Sequence, residues 1–141
     1  MHIHIIMSPR PQAPRPRLVD DAREVAGTCP ALAARETARR LTRHFDGKLR
    51  GTGLNHARFA LMAQIAAARD DTIGALAVRC GLDQSTLSRN LRGLERAGLV
   101  EIAAVEADLR RRAVWLTETG ARRLAAAMPA WRRAKETLRA P

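Results

Sequence analysis

Two groups of residues in this 141-residue chain have types and spacings that could do recognition chemistry. The first is Gln84, Ser85, Thr86, Ser88, Arg89 and Arg92. A glutamine amide can pair with an adenine edge and an arginine fork with guanine, while a small hydroxyl can bond a base or a phosphate. The second is Asp108 followed by Arg110, Arg111 and Arg112. A carboxylate two residues before a guanidinium can bond it and set its direction. Arginines on a β-ribbon suit a narrow groove or a phosphate backbone. Each group also has a plainer reading. The first could be the solvated face of an amphipathic helix with cap hydroxyls at its start. The second could be a charged hairpin tip protecting an edge strand.

The elements that must position these residues are legible around them. Leu87, Leu91 and Leu94 give the first group an apolar underside at helical spacing. Asp83 is the expected N-cap, Leu82 and Leu87 a hydrophobic staple, and Gly98 with Leu99 the stop. A shorter helix precedes it, capped by Thr72, with Ile73, Leu76, Ala77 and Cys80 on one side and Gly81 at its end. Two short helices joined by Gly81-Leu82-Asp83 form a helix-turn-helix pattern, in which the second helix presents its N-terminal residues to a major groove.

The period then changes. Leu99–Val105 (LVEIAAV) and Ala113–Thr117 (AVWLT) read as strands of a hairpin, with residues 106–112 as its turn. Upstream, a helix is expected from Pro30, with Ala34, Ala38, Leu41, Phe45 and Leu49 on one face and Gly51 and Gly53 at its end. Another follows from the cap Asn55, stapled by Leu54 and Phe59, with Met62, Ala63 and Ala66 on its stripe. A last helix begins at Thr117 and carries Leu124, Met128, Trp131 and Leu138, with Pro129 expected to bend it. Ser8–Arg17 (SPRPQAPRPR) holds four prolines and three arginines and reads as an extended basic arm outside the core.

Composition limits the function classes. Apolar residues are 46% and aromatics 3%, so the chain should fold and be mainly helical. The net charge of +11 favours a polyanionic partner, though a solvated arginine-rich surface would also give it. Two distant cysteines, Cys29 and Cys80, make neither a disulfide framework nor a zinc site and suit a reducing cytoplasm. No apolar run approaches the roughly 18 residues of a membrane span, and HIHII near the start is too short for a signal-peptide core. A soluble cytoplasmic protein is expected. His44 and His56 lie outside any ligand spacing, and no phosphate loop, nucleophile motif or acid–base pair is present. Neither a metal, a cofactor nor an enzymatic activity is expected.

Asp108-Leu109-Arg110, five residues, then Leu116-Thr117 matches the signature D-x-R-x5-L-T of the MarR (multiple antibiotic resistance regulator) family. The segment DQSTLSRNLRGLERAGLV, from Asp83 to Val100, also resembles that family's recognition helix and following strand. The resemblance implies a mainly α fold with a small β-hairpin wing, a winged helix-turn-helix flanked by dimerisation helices. It implies a homodimeric regulator of transcription, often a repressor, bound to double-stranded DNA at a palindromic operator. Carried over by position, Arg110 would enter the minor groove with Asp108 as its partner, and Ser85, Thr86, Ser88 and Arg89 would lie on the recognition helix.

The domains expected are a disordered arm over 1–28, an N-terminal dimerisation helix over 29–52, the winged helix-turn-helix over 53–117 and a C-terminal dimerisation helix over 118–141. Relative to the family pattern, the end at Pro141 leads to the expectation that the final helix is missing or was cut away. The positive charge is also not concentrated on the reading head. From Arg79 to Arg112, seven basic residues stand against five acidic ones.

Family members commonly release DNA on binding a small phenolic or anionic effector. Others sense oxidants through a cysteine near the start of the first helix, which makes Cys29 a candidate redox sensor, its thiolate favoured by the dipole of a helix starting at Pro30. Those members also use tyrosines, and this chain has none. The competing reading, from another class, is a winged-helix module for protein assembly or non-specific nucleic-acid binding.

Overall fold

The computed structural model describes residues 16–68, 72–105 and 108–138; the side chains of residue 16 and residues 105–111 lie outside that description. The chain divides into two compact units, residues 1–39 and 40–141.

The first unit corrects one expectation. The arm read as unstructured to residue 28 gives way to a helix, α1, over Pro16–Thr28. The reason is local: the prolines stop at Pro16, which suits the first helical position, and only helix-compatible residues follow. Arg23 and Asp20 pair at 3.5 Å, an exposed pair of little energetic weight. Leu18, Val19 and Val25 are all about half exposed.

A second helix, α2, covers Pro30–Leu49, starting where proline was expected to start it. Cys29 is the one residue between the two helices. The Cys29 N–H donates to the Val25 carbonyl at 3.0 Å, and the Cys29 carbonyl accepts from Ala33 at 3.1 Å.

The second unit holds α3 (His56–Ala67), α4 (Ile73–Cys80), α5 (Gln84–Arg96), β1 (Val100–Val105), β2 (Asp108–Leu116) and α6 (Glu118–Glu136). Asn55, Thr72, Asp83 and Thr117 are the N-caps, each with its side chain accepting a first-turn N–H. The helix ends at Gly81 and Gly98 need left-handed backbone, with φ of 64° and 74°. After Gly98 the Leu99 N–H returns to the Leu94 carbonyl at 3.0 Å while its side chain is fully buried. That closing contact sets the direction in which β1 leaves α5.

One core holds the unit together. Leu49, Leu54, Phe59, Leu61, Met62, Ile65, Leu76, Leu87, Leu91, Leu94, Leu99, Val100 and Val114 are buried in a single cluster. No polar or charged side chain is buried among the described residues. Phe59 stacks on Trp131 with centroids 6.2 Å apart, which ties α3 to α6.

The seam of α6 differs from the expected one. Its buried residues are Gly120, Ala127, Ala130 and Ala134, while Leu124, Met128 and Trp131 are only half-buried at its sides. Close approach explains the choice. A Cβ at Gly120 would collide with the Leu99 carbonyl oxygen and meet its carbon at 2.9 Å. Pro129 lies inside α6, which nevertheless extends to Glu136.

The hairpin is longer than its apolar residues suggested. Its strands pair antiparallel from Val100↔Leu116 to Ala104↔Arg112, then shift register to Val105↔Asp108. Residues 108–112, expected in the turn, are therefore strand. A two-stranded ribbon is wet on both faces away from the core, so charged residues can occupy it without desolvation.

Candidate nucleic-acid interface

Every side of α5 has a distinct environment. Leu87, Leu91 and Leu94 are wholly buried. On the opposite side Gln84, Ser85, Arg89 and Arg92 are exposed, with Thr86 and Ser88 half-exposed beside them. At 3.6 residues per turn, Ser85, Arg89, Arg92 and Arg96 form one outer ridge. Arg96 was missed from the sequence, although the spacing that found Arg89 and Arg92 extends to it.

Asp83 governs the start of this ridge. Its Oδ1 accepts the Thr86 N–H at 2.8 Å and the Ser85 hydroxyl at 2.8 Å; its Oδ2 accepts the Thr86 hydroxyl at 3.0 Å. These bonds hold the Asp83 carboxyl at a pKa of about 2, the backbone bond from Thr86 contributing most. The plainer reading of Ser85 and Thr86 as cap chemistry is thus present in the structure. It leaves a recognition role of one kind. With their protons given to Asp83, both oxygens can only accept, which suits a base amino group rather than a phosphate oxygen.

On one flank of the ridge, Ser88 and Arg92 meet the base of the hairpin. They line a depression of about 210 Å³ with Glu95 from α5, Ile102 from β1 and Arg112 from β2. Helix and hairpin residues that the sequence placed in separate groups are thereby brought together. Asp108, Arg110 and Arg111 are on β2 by backbone, and their side chains lie outside the described residues.

The fold can be compared with known proteins. The model of the MarR family matches residues 52–111. The transcriptional regulator MosR of M. tuberculosis, solved in complex with DNA, is similar at 36% identity and a TM-score of 0.72, over 77% of this chain and 78% of that one. The chain belongs to the MarR family.

Membership places it among transcriptional regulators rather than enzymes. MepR of S. aureus, solved with DNA, shares the fold at 20% identity and a TM-score of 0.71, over 78% of this chain and 82% of that one. PcaV of Streptomyces coelicolor, solved with its natural ligand, shares it at 22% identity and 0.70, over 79% and 78%. No curated protein matches the sequence. No helix among the described residues is long and apolar enough to cross a membrane.

The two cysteines are separate matters. Cys29 is half-buried, and the hydrogen bonds across it join α1 to α2. Cys80 packs against the core, and burial raises its thiol pKa against a smaller lowering by Arg79. A raised pKa disfavours the reactive thiolate. No group of metal-ligating side chains occurs among the described residues.

Proposed function

We propose that this MarR-family chain is a sequence-specific DNA-binding regulator of transcription, a ligand-responsive repressor that acts as a homodimer on a palindromic operator. The observation that carries the reading is the division of α5: three leucines wholly buried on one side, and an exposed ridge of Ser85, Arg89 and Arg92 on the other. A helix anchored this way can enter a major groove without disturbing the core beneath it. Gln84, Ser85, Thr86, Ser88, Arg89 and Arg92 are assigned to the major groove. Asp108, Arg110, Arg111 and Arg112 are assigned to the wing, with Arg110 in the minor groove. MosR, at 36% identity, is a regulator solved with DNA, which supports the same partner here.

Release by a small phenolic or anionic effector fits PcaV, a similar fold solved with its natural ligand. A regulator of this kind works beside the chromosome in the cytoplasm. The test is anisotropy with DNA flanking the protein's own coding region, in an excess of random duplex at about 150 mM salt. Preference for one site by at least ~10³ establishes a sequence-specific regulator. Complete competition by random duplex favours general nucleic-acid binding instead.

A further inference from the structure

The flank of α5 turned away from the hairpin carries a second basic feature, built by two helices. Arg58, in the first turn of α3, reaches across to α5, where a Cβ placed on Gly93 would lie 3.4 Å from its Nη2. A glycine inside a helix costs about 1 kcal/mol relative to alanine. At position 93 the missing side chain leaves the space that the Arg58 guanidinium borders. Around it lies a groove of about 300 Å³, with Arg58, Arg89, Arg96, Asn55 and Asn90 among its lining residues.

The groove contains no acidic side chain. Among the described residues, none of its three arginines forms a salt bridge. The opposite flank differs, since Arg92 and Arg112 share their depression with Glu95. Three guanidinium groups line one groove with no carboxylate in its wall; Asp83, outside it, acts on Arg89, and the repulsion that remains falls when an anion enters. The two asparagines add side-chain amides that can donate to the same oxyanion. Guanidinium forks match the geometry of a phosphate.

We propose that this groove seats a backbone phosphate of the duplex that α5 reads. Arg58 and Arg96 clamp the phosphate, and Arg89 stands at the border with the base-reading ridge. The inference rests on the DNA-binding function proposed above and adds what holds α5 at its angle. Phosphate contacts set register and orientation, while base contacts specify sequence. Arg58 comes from a different helix, so a phosphate held by Arg58 and Arg96 would lock α3 and α5 to the same strand.

The experiment is a salt series with the full chain, reading anisotropy on a random-sequence duplex and on the DNA flanking its own gene. Arg58→Gln and Arg96→Gln should each lose affinity by a similar factor on both duplexes and lower the slope of log K against log salt by about 1. Arg58→Lys should keep the wild-type slope. Arg122→Gln, on α6 and outside the groove, is the charge control and should also keep it. Both groove positions line an open surface, so thermal melts of the variants should match wild type.

Unchanged slopes in Arg58→Gln and Arg96→Gln overturn the groove, as does an equal drop in the Arg122→Gln control. A wild-type protein that binds neither duplex overturns the DNA-binding reading itself. Inorganic phosphate separates the two sources of the anion. If it raises the melting temperature of the DNA-free protein through Arg58 while the salt slopes stay constant, the groove serves a free anion and the backbone assignment is wrong.

Discussion

The carboxylate of Asp83 holds Thr86 twice, taking its backbone N–H at 2.8 Å and its hydroxyl at 3.0 Å. The same carboxylate takes the Ser85 hydroxyl, so one acidic side chain both starts α5 and orients two hydroxyl oxygens in its first turn. Its pKa of about 2 makes the cap sensitive to acid in one direction. A carboxyl with a depressed folded pKa stabilises the fold fully above its unfolded value, about 3.9, and loses that contribution as pH falls through the folded value. Melting temperatures of wild type and Asp83→Asn should therefore differ most above about pH 5 and converge between pH 4 and 2. A gap that does not change across that range would exclude the ionised cap as its source.

Gly120 is the next position where the geometry permits one outcome. Alanine is usually the better helix residue, but here its Cβ would enter the Leu99 carbonyl at the crossing of α6 and the α5–β1 corner. The blocked atom is backbone, so the helix itself would have to move. Gly120→Ala should destabilise the fold by about 1–3 kcal/mol, as overpacking does, measured by urea unfolding with an unchanged m-value. A stabilised variant would mean that α6 can shift at no cost.

The fold was legible where local chemistry determines it. Asn55, Thr72, Asp83 and Thr117 cap the helices they were expected to cap, and Gly81 and Gly98 end theirs with positive φ. Distance in sequence marks what was missed. Arg58 meets Gly93 across 35 positions, and no local pattern announces that contact. The small-residue seam of α6 has the same cause, since Gly120 reads as a weak helix residue until Leu99 is known to lie against it. Strand pairing explains the hairpin. Arg112 has no strand signal of its own and is extended because Ala104 lies opposite. α1 was hidden by the prolines before it, whose influence was extended too far along the chain.

Arg89 offers a test that separates reading from anchoring. It stands on the outer ridge of α5 yet also lines the Arg58 groove. If it contacts a base, Arg89→Ala should cost about 1–3 kcal/mol on the operator and clearly less on random duplex. Arg96→Gln, assigned to phosphate, should cost similar amounts on both. Equal losses for Arg89→Ala on the two duplexes would move Arg89 from the base edges to the backbone.

The apolar face of α2 bears on the homodimer. Ala34, Ala38, Leu41, Phe45 and Leu49 share that face, but only Leu49 is buried within one chain. Leu41 is 39% exposed. Burying what remains of Leu41 is worth about 1 kcal/mol, and placing a glutamate there instead adds a desolvation cost of several kcal/mol. A Leu41→Glu variant should therefore weaken self-association by roughly a hundredfold or more. Sedimentation should find wild type dimeric and the variant monomeric at micromolar concentration. The variant's operator affinity should fall with it, because two half-sites held by one dimer gain from effective concentration. Core residues are untouched, so the two-helix groove and the reading ridge should survive in the monomer, with its residual affinity for random duplex still depending on Arg58. A variant that stays dimeric would show that the chains associate through another surface.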